Sequence, residues 1–105
     1  MSADPPLRLP AQIGLVGDTA VLECNTSLIV TTSRNLTFRW MIFGGGSLPE
    51  KARFTQNNQT LILSNLTLED NQVYECLVVA LDTVEFFVLR YPLNVFGKPT
   101  FTHVA

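Results

Sequence analysis

The chain holds one histidine, His103, close to its C-terminal end, and only two cysteines in 105 residues. A single imidazole leaves a histidine-based metal site or a catalytic triad almost no material. Charge is sparse as well. Charged residues make up 15% of the chain, and seven Lys and Arg stand against nine Asp and Glu for a net charge of -2. A surface that neutralises phosphates needs the opposite balance, so nucleic acid is excluded as a partner. Long hydrophobic runs are missing too, because Asn, Thr or Pro interrupts each of them, and nothing here inserts into a bilayer. The opening Met1-Ser2-Ala3-Asp4-Pro5-Pro6 lacks the basic segment and apolar run of a signal peptide. Residues 1–6 therefore read as a disordered or added lead, with Met1 a start placed ahead of an excised piece of a secreted chain. What is plentiful is apolar side chain, 47% of residues, which argues against disorder. The length suits one domain with one modest core.

Short apolar segments alternate with turn residues, and no 3.6-residue period is sustained. Segments Leu7–Pro10 and Ile13–Val16 read as edge pieces, with Pro10 interrupting a ladder. Thr19–Asn25 follows the Gly17-Asp18 turn and puts Ala20, Leu22 and Cys24 on one face, with Val21 discordant among the polar residues of the other. Thr26–Asn35 is a polar loop around Leu28-Ile29-Val30. Leu36–Phe43 turns Phe38, Trp40 and Ile42 inward and Arg39, Met41 and Phe43 outward. Gly44-Gly45-Gly46 ends that strand as a turn, since no Gly-Lys-Ser/Thr or helix follows to make it a phosphate loop. Ala52–Thr55 and Thr60–Leu66 are further strands, the second with Leu61, Leu63 and Leu66 in the core. Val73–Val79 and Val84–Leu89 form a last pair around Leu81-Asp82-Thr83. Seven or eight such strands in about 90 residues predict an all-β sandwich of two sheets packed face to face.

Cys24 and Cys76 fall at inward positions of separate strands, Trp40 falls inward 16 residues after Cys24, and Asp70-Asn71-Gln72-Val73-Tyr74-Glu75-Cys76 follows. This set resembles the immunoglobulin superfamily over residues 7–96, whose pattern is Cys, Trp, then Asp-x-Gly-x-Tyr-x-Cys. Gln72 stands where that pattern has glycine. The resemblance implies a Greek-key sandwich of two antiparallel sheets with one inter-sheet disulfide, Cys24–Cys76, between strands B and F, and with Trp40 of strand C packed on it. It also implies a Tyr74 hydroxyl capping the turn before strand F, and an ion pair between Arg53 and Asp70. The short cysteine spacing suits an intermediate-type or short constant-like domain, although the Arg53–Asp70 pair would also suit a variable one. Residues 97–105 read as a linker or the opening of a following domain, because Lys98-Pro99-Thr100-Phe101 carries a Pro-x-Phe stretch. Adjacent immunoglobulin-like domains in the parent chain are expected.

Asn-x-Ser/Thr occurs at Asn25, Asn35, Asn58 and Asn65, whereas seven Asn and 16 Ser or Thr placed at random give about one such triplet. Together with the implied disulfide, four sequons point to the secretory pathway and an extracellular glycoprotein. Asn25, Asn58 and Asn65 belong on or beside the sheet of strands B (Thr19–Asn25) and E (Thr60–Leu66), with Asn35 at the approach to strand C. Sugar there leaves for contact the C–F–G sheet, formed by Leu36–Phe43, Val73–Val79 and Val84–Leu89. Its solvent side is expected to carry Arg39, Met41, Phe43, Glu75, Leu77 and Val79, with Phe87 and Leu89 from strand G. Strand G is ambiguous in phase, since Val84, Phe86 and Val88 serve equally well, and Leu48-Pro49 is a candidate cover. The expected role is an adhesion or cell-surface recognition module, binding a protein partner or itself through C–F–G. The alternative is a ligand-binding or spacer domain of a signalling receptor ectodomain, membrane-anchored elsewhere in the chain. No nucleophile–base pair, metal or cofactor site is visible, so no enzymatic role is expected.

Overall fold

A computed structural model describes residues 6–97, so the expectations for the lead over residues 1–5 and for residues 98–105, His103 included, lie outside the described residues. Backbone pairing sorts the described residues into eight strands: β1 (Leu7–Arg8), β2 (Gln12–Leu15), β3 (Ala20–Glu23), β4 (Leu36–Ile42), β5 (Arg53–Thr55), β6 (Thr60–Leu63), β7 (Gln72–Ala80) and β8 (Glu85–Phe96). Single 3-10 turns at Thr26–Leu28 and Leu68–Asp70 supply the remaining regular structure.

One sheet has the order β3-β6-β5 and is antiparallel throughout. The other runs β4-β7-β8, also antiparallel, and then adds β1 and β2 in parallel along the far edge of β8. The second sheet is therefore mixed rather than purely antiparallel. Parallel pairing follows from the path of the chain, which enters beside β8 before crossing to the other sheet as β3. Between the pairs Arg8↔Arg90 and Gln12↔Leu93, Leu9, Pro10 and Ala11 face only Tyr91 and Pro92. Both prolines fall in this break, where a missing ladder donor costs least. Bridging it, β8 runs on from the expected end at Leu89 to Phe96, held by β7 as far as Leu93 and by β2 beyond.

The core lies between the sheets. Ala20, Leu22 and Cys24 meet Leu61, Leu63 and Leu66 from one side, and Trp40, Tyr74, Cys76, Val78, Phe87, Leu89, Tyr91, Leu93 and Val95 come from the other. Gly14 marks a close approach, for a Cβ there would come within 2.6 Å of Leu66 Cδ1. The Gly44–Gly46 turn has φ near +92°, +103° and +99° at its three residues, a backbone that side chains resist.

Candidate interaction face

Several ties hold the sandwich rigid behind its outer surfaces. Cys24 and Cys76 are bonded, with Cα atoms 6.1 Å apart. Trp40 lies directly opposite Cys76 in the β4–β7 register, is buried in the same cluster, and meets the Tyr91 ring at 5.2 Å with the planes tilted by 55°. The Tyr91 hydroxyl accepts from the Asn25 backbone N–H at 2.9 Å, so it links β8 to the end of β3. Burial pushes its phenol up, partly opposed by that N–H. Sequence reasoning missed Tyr91, because the phase it shares with Phe87 and Leu89 is set by pairing to β7, where it lies opposite Tyr74.

The turn before β7 is fastened by three residues. Tyr74 donates its hydroxyl to the Asp70 carbonyl at 2.9 Å, as the resemblance implied. Desolvation, and then the Asp70 charge, push its phenol up to about 12. Asp70 does not pair with Arg53: its carboxylate takes the Lys51 ammonium instead and also accepts from the Thr67 backbone N–H at 2.8 Å. Arg53 lies in β5 opposite Ile62, on the outer side of that sheet, and its guanidinium donates to the Glu50 and Ala52 carbonyls. Lys51, two residues before the start of β5, stands where its ammonium meets that carboxylate. Next to Gln72, where the motif departs from glycine, Asn71 donates to and accepts from the backbone of Val95 at 2.9 and 2.7 Å. That amide joins the turn to β8.

On this frame the outer face of the five-stranded sheet is laid out in rows. From the β4, β7 and β8 registers these are Thr37–Val79–Phe86, Arg39–Leu77–Val88 and Met41–Glu75–Arg90, the last continuing to Arg8. A fourth row is Phe43–Val73–Pro92, since the Phe43 N–H donates to the Val73 carbonyl. Glu75 accepts from Arg90 at 3.1 Å, and the Arg90 guanidinium stands 4.1 Å over the Phe43 ring, a stacked cation–π contact. The expected Arg39, Met41, Phe43, Leu77 and Val79 all lie on this face. Phe87 and Leu89 do not. They are 4% and 1% exposed, because they pair with inward Val78 and Cys76, and Phe86 and Val88 take the outer positions. Leu48, a candidate cover, packs against the core and shares a cleft with Arg39, Trp40 and Met41 at the β4 side of the face.

All four sequon asparagines are exposed. Asn25 follows β3 and Asn58 sits in the β5–β6 turn, which the Glu23↔Thr60 pair places at the same end of the sandwich. Asn35 precedes β4 at that end, its carbonyl accepting from the Leu81 N–H of the β7–β8 hairpin. Asn65 follows β6 at the opposite end. None lies within the rows of the β4–β7–β8 face. Among the described residues no group of three or more His, Cys, Asp or Glu could hold a metal, and no helix is long and apolar enough to cross a membrane.

An all-β sandwich of this order, with a disulfide between sheets and a buried tryptophan opposite one of its cysteines, defines an immunoglobulin-type domain. Residues 13–83, more than half of the chain, match the family model for the immunoglobulin domain, and the chain belongs to that family. No curated protein sequence matches it significantly. Among solved structures it is similar to Sidekick-1 immunoglobulin domains 1-5, with a TM-score of 0.68 and 19% identity over 96% of this chain and 20% of that one. The first ig-like domain of human CD48 antigen gives 0.64 and 17% over 92% of both chains. Murine CEACAM1b gives 0.61 and 19% over 80% of this chain and 40% of that one. The chain thus spans about a fifth of the Sidekick-1 fragment, and at these identities the likeness concerns the fold.

Proposed function

We propose that this domain is an extracellular recognition module of a cell-adhesion or cell-surface protein, binding a protein partner or a second copy of itself across the outer face of β4, β7 and β8. One observation carries the reading. Val73, Leu77, Val79, Phe86, Val88, Met41 and Phe43 share a single outer face around the Glu75–Arg90 pair, which is the mix of apolar surface and satisfied charge that protein interfaces use. Sequons at Asn25, Asn35, Asn58 and Asn65 put sugar at the ends and beside the other sheet. With the disulfide they support a secreted, glycosylated location. The array in Sidekick-1 domains 1-5 supports a place in a row of immunoglobulin domains. There, weak single contacts gain by linkage.

The test is sedimentation of the secreted domain across a concentration series, paired with adhesion to cells of beads carrying it. Leu77→Arg and Phe43→Arg should abolish whichever association the wild type shows while leaving its thermal midpoint nearly unchanged. Asn25→Gln should leave association intact. Wild-type and Leu77→Arg beads that adhere equally would favour the spacer domain of a receptor ectodomain.

A further inference from the structure

The two edges of the five-stranded sheet are built differently. At one, β1 is two residues long, the ladder steps over an extra residue at Pro10, and β2 contains Gly14. Short strands, prolines and bulges keep an edge from templating a foreign strand. The other edge is β4, seven residues in unbroken register with β7, without proline, glycine or lysine. The next strand, β5, pairs with β6 in the opposite sheet, so no described strand lies on the outer side of β4. The Phe43 N–H donates to Val73 and the Asn35 carbonyl accepts from Leu81. Odd-numbered positions therefore bond to β7. By alternation the N–H and C=O groups of Leu36, Phe38 and Trp40 and the N–H of Ile42 point to the open edge, while the Ile42 carbonyl accepts from the Gly45 N–H at 3.2 Å.

Two clefts flank this row. One of about 250 Å³ is lined by Phe38, Arg39, Trp40, Phe54 and Asn58. The other, of about 570 Å³, is lined by Arg39, Trp40, Met41 and the Gly46–Leu48 turn. Trp40 borders both, and its indole N–H is buried without an acceptor among the described residues. Arg39 also borders both, is exposed, and is absent from the ion pairs formed among the described residues.

We infer that the open edge of β4 accepts an extended segment of another protein as an added strand, apolar at the residues flanking a carboxylate that faces Arg39. Main-chain hydrogen bonds to Phe38 and Trp40 would supply affinity, and the clefts would read alternate side chains. A second copy of this chain is the poorer occupant. Its own β4 reads Leu-Thr-Phe-Arg-Trp-Met-Ile, which brings a like charge to Arg39 and no carboxylate. This site is the edge of the sheet and not its outer face, so Phe86→Arg, on β8 and two strands away from β4, alters the face without touching Arg39, and the two readings fail separately.

The probe is acetyl-Ser-Thr-Val-Glu-Val-Thr-Ser-amide, with a control peptide carrying Lys in place of Glu. Each is titrated by NMR into Asn58→Gln protein, which removes the sequon at the mouth of the smaller cleft. The Glu peptide is expected to slow amide exchange at Leu36, Phe38, Trp40 and Ile42 but not at their odd-numbered neighbours, and to shift the Trp40 indole signal. It should bind about five-fold or more tightly than the Lys peptide, with the order inverted in Arg39→Glu. Unchanged exchange along β4, or a preference that ignores the Arg39→Glu change, overturns the inference. Protection of the same amides in peptide-free protein on concentration, with a dimer in sedimentation, overturns the choice of occupant.

Discussion

The sheet of β3, β6 and β5 turns one short row outward, Val21–Ile62–Arg53, and beside it Glu23 and Thr55 flank a buried Thr60. Asn25, Asn58 and Asn65 border this sheet. The sheet of β4, β7 and β8 turns four rows outward, on strands of 7, 9 and 12 residues, and most of their members are apolar. Inward, both sheets present the same kinds of residue to one core. Folding demands only the inward pattern, because an apolar side chain left in solvent adds little to stability. The outward difference is thus a surplus that the fold does not require, and it is what a partner would read.

The largest expected effect tests how the two sheets are held together. Replacing both Cys24 and Cys76 with Ala should cost about 4 kcal/mol in a denaturant titration, from loop-closure entropy over their separation. A loss under about 1 kcal/mol would mean that packing alone fixes the sheets. Next in size are substitutions that compare their inner faces. Leu22→Ala in β3 and Leu89→Ala in β8, both essentially unexposed, should each cost about 2–5 kcal/mol. Val88→Ala, one position from Leu89 on the outer side, should cost less than either, and an equal cost would refute the strand phase. Tyr74→Phe should lose about 1–2 kcal/mol through its bond to the Asp70 carbonyl.

Tyr74 also adds a pH dependence. Its phenol is raised from 10.0 to about 12 in the fold, so the native state keeps a proton that the unfolded chain gives up first. Its contribution is fully present below pH 10, falls as pH rises through that interval, and is lost above the folded value. Urea midpoints for wild type should decline across this window more steeply than those for Tyr74→Phe. Parallel curves would show that other groups control the alkaline limb.

Much of this was legible because polar residues mark the outer side of most strands. In Thr19–Asn25 and Leu36–Phe43 they alternate with Leu22, Cys24, Phe38 and Trp40, and the inward set stands out. From Val84 to Leu89 every residue except Glu85 is apolar, so the period of two vanishes. Only pairing to β7 decides that Phe87 and Leu89 enter the core and Phe86 and Val88 leave it. The partner of Asp70 was hidden for another reason. Lys51 and Arg53 both lie near the required place in sequence, and the start of β5 at Arg53 turns that side chain to the outer sheet surface. Nor could composition distinguish the broken β1–β2 edge from the open β4 edge, since that contrast arises from which strands become neighbours.

The smallest expected effect on stability gives the sharpest test of the comparison between outer faces. Val21 and Leu77 are both outward, Val21 in β3 opposite Ile62 and Leu77 in β7 between Arg39 and Val88. Val21→Arg and Leu77→Arg should each change unfolding free energy by less than about 1 kcal/mol, because neither opens a cavity in the core. The added charge beside Arg39 should make the Leu77 variant the less stable of the two, and salt should narrow the gap by screening. Association should separate them completely. Leu77→Arg puts a charge among Val79, Val88 and Met41, where the neighbouring Glu75 carboxylate is already taken by Arg90 and burial against a partner would cost its desolvation, whereas Val21→Arg alters a face bordered by sequons and should bind as wild type does. Equal loss of binding in both variants would mean that the partner reads both sheets, and the contrast between their outer faces would have no functional weight. A Leu77→Arg protein that fails to fold would instead make Leu77 part of the core, and Phe43→Arg, farther along the same face and 45% exposed, would then decide the matter.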